Sequence, residues 1–421
     1  MVSRTSKFRS LAFALHKYLQ NRKTEAAFRR NIPSSPNLNY SNFESLNVTQ
    51  KTEVLAAVKS LKDYKESSLV MNERRKKLFR LLSSKQQKLA TEVGYMSRLN
   101  AIDKAIAVNY KLVNDIADYT INKYGISSKD LASLDKKSAA SGSNFRVIEA
   151  LGHYSRDWQQ GNVGWELLPI FEYIASQLQL LFPTSAEKKE TALIFPGSGL
   201  GRLTYEFSKD DYGAVFAIEN SGLMNSLVDF HYRESQQNEE ELYTVHPYIH
   251  INSDFYSTKS QFRSFKYKPI GSNNKPESLI TMNQDFLEFE IPNRDKYKNI
   301  VVVSVFFLDT AENLFAYLEK IRQLTKPSGR NGSFPERGYW INAGPLKYGS
   351  AAQVELNADE LAEVNKKMGW INASSVYSVY DPLQLGNKTG LVGYLTDKES
   401  MWQGYYGLNL FTSSRKENKN V

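Results

Sequence analysis

The chain is predicted to be an α/β protein, with a doubly wound and largely parallel sheet in its second half and a module of helices before it. Three observations predict this. Apolar residues recur at helical spacing up to about residue 185 and gather into short runs after 191. The run Ala192-Leu193-Ile194-Phe195 passes through Pro196 into Gly197-Ser198-Gly199-Leu200-Gly201, the strand and tight turn that open a ligand-binding crossover. Residues 300–308 are almost continuously apolar, as a central parallel strand buried on both faces must be.

In the first half, helices are predicted over residues 8–30, 50–67, 72–93 and 96–124. A Pro/Ser/Asn loop fills 32–43, and a Ser/Ala/Gly connector fills 136–143. In the last of these helices Ile102, Ala105, Ile106, Tyr110, Val113 and Ile116 lie near one face, and Gly125 stops it. Residues 146–151 then lead to Arg156-Asp157-Trp158. That triplet reads either as a packing corner with a local ion pair or as a site where Arg156 reaches a carboxylate-bearing cofactor. Residues 165–182 are helical, and Pro183 ends them.

In the second half, strand 192–195, helix 202–208 and strand 214–218 follow in order. Glu219 ends the second strand 18 positions beyond Gly201, the spacing at which a ribose-binding carboxylate is expected. It equally suits a cap for the helix over 221–235. Residues 243–280 are polar, with Pro247, Pro269 and Gly271-Ser272-Asn273-Asn274, and read as an irregular surface insertion that serves as a substrate lid. Asp285 and Phe286 follow a short segment over 279–282, where the acid either meets an adenine amino group or turns the chain. Asp309 stands at the end of the 300–308 strand, either capping helix 311–324 or lining a catalytic pocket. Strand 339–346, helix 358–368 and short strands over 376–380 and 408–411 complete the order, with a frayed tail from 413. Tyr394, Trp402, Tyr405 and Tyr406 are either sheet packing or the wall of a pocket for a flat or cationic group.

The 421 residues are 41% hydrophobic, enough for a real core, and contain no cysteine, which excludes disulfides and thiolate chemistry and fits a reducing compartment. A cytoplasmic protein, with the nucleus as a second compartment, is expected. No apolar run approaches the roughly 20 residues that cross a bilayer, so no membrane association is expected. Formal net charge is +9, yet residues 1–80 alone carry 17 Lys/Arg against 6 Asp/Glu. The remainder is nearly balanced, so a nucleic-acid-coating surface is not expected and the basic face reads as a solvated helix. Arg4, Lys7 and Arg9 precede an apolar run without a signal-cleavage pattern; a mitochondrial presequence competes there with an ordinary opening helix. No metal site is expected: His231, His246 and His250 lack zinc spacing, and Pro247 opposes a helix that would pair the last two.

The late strand pair suits the seven-stranded, Rossmann-like variation of the doubly wound sheet used by class I S-adenosylmethionine-dependent methyltransferases. Phe195-Pro196-Gly197-Ser198-Gly199-Leu200-Gly201-Arg202-Leu203, Phe306-Phe307-Leu308-Asp309-Thr310-Ala311-Glu312-Asn313 and Trp340-Ile341-Asn342-Ala343-Gly344-Pro345-Leu346 together resemble the carnosine N-methyltransferase family. Arg156-Asp157-Trp158 resembles the motif just upstream of that family's cofactor domain. The resemblance implies a helical domain over 1–185, a methyltransferase domain over 186–421 with an insertion over about 243–280, and a homodimer formed through the helices. It implies methyl transfer from S-adenosylmethionine, leaving S-adenosylhomocysteine, to an imidazole nitrogen of carnosine or a related histidine-containing peptide.

By the same resemblance Arg156 binds the methionine carboxylate, the loop with Gly197, Gly199 and Gly201 meets the cofactor, and Glu219 binds the ribose. Asp285 and Phe286 lie at adenine, Asp309 orients the imidazole, and Tyr394 and Tyr406 line the substrate pocket. Two positions depart from the family pattern: Gly349 stands where a substrate-binding histidine is expected, and Gly404 where a tyrosine is. Two other classes compete. A noncatalytic methyltransferase-like RNA-binding scaffold is favoured by the basic first 80 residues, and a nicotinamide oxidoreductase by the glycine loop alone.

Overall fold

The computed structural model describes residues 43–135, 143–159, 161, 163–234, 242–328, 334–377 and 391–415. The predicted helix over 8–30, most of the loop over 32–43, the connector over 136–142 and residues 378–380 and 416–421 lie outside them.

Helices come first: α1 (Val48–Phe79), α2 (Ser84–Glu92), α3 (Tyr95–Tyr124), α4 (Ser128–Asp135), α5 (Ser143–Trp158), α6 (Leu168–Leu181) and α7 (Ser185–Lys189). Asn47 opens α1 with a capping box to Gln50. The two helices expected over 50–67 and 72–93 are corrected. One helix of 32 residues runs through 68–71, and the break comes at Arg80–Ser83, where Ser83 caps a new helix. The charged run of 72–80 carries no helix breaker, so α1 continues.

The sheet follows, built from β1 (Thr191–Pro196), α8 (Arg202–Phe207), β2 (Ala214–Glu219) and α9 (Gly222–His231). Next come β3 (Tyr243–Val245), α10 (Thr258–Gln261), β4 (Phe265–Tyr267), β5 (Leu279–Asn283), β6 (Asn299–Val305) and α11 (Leu314–Leu324). The chain closes with β7 (Arg337–Gly344), α12 (Ala358–Lys367), β8 (Trp370–Tyr377), β9 (Leu391–Gly393), β10 (Tyr405–Gly407) and β11 (Asn409–Arg415). Seven strands form one sheet in the order β5-β2-β1-β6-β7-β11-β8. The first five are parallel; β11 is antiparallel to both β7 and β8. That arrangement is the Rossmann-like methyltransferase sheet that the order of elements predicts.

Alternation along the strands divides the core. Leu193, Phe195, Val215, Val301 and Val303 face the helical segment, where they join Leu61, Ile102, Tyr154 and Phe171 in one cluster. Ala192, Ile194, Phe216, Ile300 and Val302 face the other side, against Leu314, Ile321, Leu361 and Trp370. Among the described residues no helix is long and apolar enough to cross a membrane.

The insertion is not an irregular surface segment. The hairpin β3–β4 buries Tyr243, Val245 and Tyr267 in the same cluster as the helices. Asn109 holds the insertion's backbone at His246 by donating to its carbonyl and accepting its N–H. The Tyr64 hydroxyl meets His250 at 2.8 Å. Arg263 then ties it forward, donating to Asp397 and pairing with Glu399, and the Asp254 carbonyl accepts the Met401 N–H. The polar residues that masked these strands are the ones that anchor them.

Candidate active site

From β1 the chain passes to β2 on one side, while β6 enters the sheet on the other. Such a switch point leaves a crevice outside the carboxyl ends of the strands. Here it is lined by Gly197, Ser198 and Gly199 after β1, Phe306 after β6, Arg156 and His153 from α5, and Tyr394.

The glycine loop is held from several directions. Gly197 has φ +62°, and a Cβ there would lie 2.8 Å from the Phe307 ring, so only glycine fits. Phe307 stacks on Tyr317 at 4.6 Å and meets Phe286 edge-on at 5.3 Å. The Glu219 carboxylate accepts the Gly199 N–H at 2.9 Å and the Ser221 N–H at 2.8 Å. Glu219 thus stands at the end of β2, as its spacing predicts, and anchors the loop to the start of α9. Ser221, not Glu219, caps α9. Burial pushes the Glu219 pKa up, against the backbone amides of Ser221, Gly199 and Asn220 that lower it.

The 156–158 triplet forms the packing corner with a local ion pair that one of its two readings expects. Arg156 grips Asp157 with two nitrogens and also lines the crevice. Burial works against its charge, but Asp157 outweighs burial and raises its pKa. The Trp158 indole N–H donates to the Leu200 carbonyl at 3.1 Å. Arg202 crosses the Trp158 ring at 5.0 Å and donates to the carbonyls of Asp157 and Gly161.

On the other side of the crevice Phe306 has φ +46°, a strained value for a ring-bearing residue that costs about 1–3 kcal/mol. Its backbone packs on Gly344, where a Cβ would come within 2.9 Å. Its ring meets Tyr394 at 5.1 Å and Tyr406 at 5.9 Å. Asp309 lies in a 3-10 turn and does not cap the following helix; that helix begins at Leu314, and Asn313 caps it. The Asp309 carboxylate accepts the Lys347 N–H at 3.2 Å, and the Lys347 ammonium reaches the Tyr406 hydroxyl at 3.4 Å. Burial lifts the Asp309 pKa above its usual 3.8.

Asp285 and Phe286 lie farther out. Asp285 turns the chain, its carboxylate accepting the Leu287 N–H at 2.8 Å. The Phe286 side chain is buried against Phe307 and Tyr317. It supports the loop from below and leaves only its backbone to face a ligand.

Two residues of the site escape sequence reasoning. Phe306 is one, because nothing in sequence marks a left-handed phenylalanine. His153 is the other. It is buried, meets Tyr394 edge-on at 5.8 Å, and its Nδ1 has no hydrogen-bond partner among the described residues. Burial and the Arg156 charge hold its pKa well below 6.5, so it is neutral. Its position three residues before Arg156 on one helix face was the available signal.

The sheet order, the glycine loop at the switch point and the acid closing the second strand define an S-adenosylmethionine-dependent methyltransferase. A family model described as carnosine N-methyltransferase matches residues 135–417, and the chain belongs to that family. It is 25% identical over 367 residues to the carnosine N-methyltransferase of Schizosaccharomyces pombe, across 82% of this chain and 92% of the relative. The Rattus norvegicus carnosine N-methyltransferase is 25% identical over 351 residues, across 80% of each chain. An uncharacterized protein of Saccharomyces cerevisiae is 28% identical over 354 residues, across 76% of this chain and 72% of the relative. The crevice suits the charged end of the cofactor: the Arg156 guanidinium and the unpartnered His153 Nδ1 line it, and the Glu219 carboxylate holds the adjoining glycine loop.

Removing one partner of a buried ion pair costs about 3–5 kcal/mol, so alanine at 156 would mix folding with binding. Arg156→Lys keeps a charge beside Asp157 and loses the planar fork. S-adenosylmethionine affinity by calorimetry should fall about tenfold, since the bidentate contact is lost. An unchanged Kd would remove Arg156 from the cofactor site.

Proposed function

We propose that the protein methylates an imidazole nitrogen of carnosine, giving anserine, or of a related histidine-containing peptide. The observation that carries this reading is the carboxylate of Asp309 at the end of β6, linked through Lys347 to Tyr406 beside an aromatic wall. S-adenosylmethionine, when bound, supplies an electrophilic methyl on a sulfonium. In this reading Arg156 binds its carboxylate and Glu219 its ribose hydroxyls. His153 meets its amino-acid end, and the backbone at Asp285 and Phe286 borders its adenine.

Asp309 accepts the N–H of one ring nitrogen and so turns the lone pair of the other into the crevice. No strong base is needed, because a neutral imidazole is already nucleophilic at a pH above its pKa of about 6.5. As the ring gains positive charge, the fixed carboxylate holds it more tightly, which stabilises the transition state selectively. Tyr394 and Tyr406 orient the peptide and favour the developing cation with their ring faces. Gly349 has nothing within 4 Å of where its side chain would start, so this corner of the pocket is roomier than a histidine would leave it.

Purified protein incubated with S-adenosylmethionine and carnosine, or other histidine dipeptides, should yield a product heavier by one methyl in mass spectrometry. No methylated product, combined with retention of RNA on a filter, would favour the scaffold reading instead.

Asp309→Asn should lower kcat on the order of 10²-fold while cofactor Kd stays the same. A second readout follows from its pKa. The folded value lies above 3.8, so the group's contribution to stability is present in full below that pH and is lost as pH rises through the folded value. The asparagine variant should therefore melt higher than wild type at neutral pH, with the gap closing in acid. Equal melting temperatures at both ends would show that the carboxylate is not under this strain.

Self-association through the helices is also proposed. α2 buries no residue; Leu89 within it is 63% exposed, and Leu81 and Val93 on either side of it are 81% and 77% exposed. An apolar face of this kind is unusual on a monomer. Leu89→Glu with Val93→Glu should halve the mass in sedimentation; a wild type that sediments as a monomer would reject the dimer.

A further inference from the structure

The two-stranded ribbon β9–β10 pairs Tyr405 with Gly393 and Tyr406 with Val392. Continuing that register sets Gly404 across from Tyr394. The Thr396 hydroxyl fastens the join, donating to the Gly404 carbonyl at 2.6 Å and accepting the Tyr394 N–H at 3.2 Å. Strand alternation puts position 404 on the face of Tyr406, the face that meets Phe306 in the crevice. A glycine there leaves a gap in the aromatic wall, but the gap is filled. A Cβ on Gly404 would lie 2.7 Å from the Trp402 ring.

The indole stands on a fixed stem. The Met401 N–H donates to the Asp254 carbonyl at 2.6 Å, Ser400 bridges to Phe255, and the Trp402 N–H reaches the Ser400 hydroxyl at 3.3 Å. Yet Trp402 is itself 70% exposed. A large aromatic surface held in place beside the crevice's aromatic wall and left open to water is one that a ligand can cover.

We propose that Trp402 is a specificity-determining residue, forming the outer wall of the acceptor pocket over Gly404 and stacking on a flat or cationic group of the methyl acceptor. Gly404 and Trp402 act as a pair, since any side chain at 404 pushes the indole away. This rests on the reading of the crevice as a methyltransferase acceptor site.

The test compares Trp402→Ala, Gly404→Ala and the double variant. Each is assayed on whichever acceptor the wild type methylates among histidine dipeptides, free imidazole and small amines. Trp402→Ala should raise acceptor KM about tenfold, the lower range for losing an aromatic stacking contact, and leave the cofactor Kd within about twofold. Gly404→Ala should raise KM by displacing the indole without removing it, and the double variant should be no worse than Trp402→Ala alone. An acceptor KM unmoved by Trp402→Ala, or fully additive effects, would overturn the proposal. Turnover of another acceptor but not of carnosine would reject only the carnosine reading and leave this comparison intact. A wild type that binds S-adenosylmethionine and methylates nothing in the panel would overturn both.

Discussion

The bond from the Trp158 indole to the Leu200 carbonyl, with Arg202 crossing the same ring, is the constraint on which the crevice depends. It fastens the end of α5 to the glycine loop. Hydrogen bonds to charged donors, such as those from Arg202 to the carbonyls of Asp157 and Gly161, are worth about 1.5–3 kcal/mol each. Because the helices and one face of the sheet share a single apolar cluster, the corner cannot shift without opening that core. Arg156 and His153 ride on the same helix and take their places from it. The cofactor side is therefore preorganised: the loop is pinned by Glu219 below, Phe307 beside it and Trp158 above.

The side proposed for the acceptor is built differently. Its aromatic wall stands on β9–β10, outside the seven-stranded sheet, and is braced by the insertion. Arg263 reaches Asp397 from one direction, and Glu166 accepts the Thr396 N–H at 2.8 Å from another. The segment expected to cover the site as a lid thus holds its wall in place. Strain at Phe306 falls at the junction of the two halves, where one ring contacts both Tyr394 and Tyr406.

Much of this was legible in the sequence because burial on both faces leaves a plain trace. β1, β2 and β6 are mostly apolar and almost wholly buried, and Gly197, Glu219 and Asp309 stand at or just beyond their ends, so strands and candidate site residues emerge together. What escaped was encoded in pairings of long sequence separation. β3, β4, β9 and β10 have three residues each, too short for a period to register. Tyr243 and Tyr267 look polar-flanked until the helical segment covers them. No break falls at 68–71, where Ser68-Leu69-Val70-Met71 holds no helix breaker; the capping serine lies at 83. Of the alternatives offered for Glu219 and Asp309, the helix caps fall to Ser221 and Asn313 instead.

The separate ribbon has a consequence for how such an enzyme can diversify. The groups suited to the cofactor are welded into the central core, while much of the aromatic wall proposed for the acceptor stands on or beside a side structure of two short strands. Substitutions at the exposed positions of that ribbon need not disturb the packing of the main sheet, whereas Val392 belongs to the shared core. Methyl donation and the choice of recipient thus rest largely on separate elements, which meet where Phe306, His153 and Arg156 touch the tyrosines at the ribbon, and a lineage can drift toward new recipients by changes that spare those contacts.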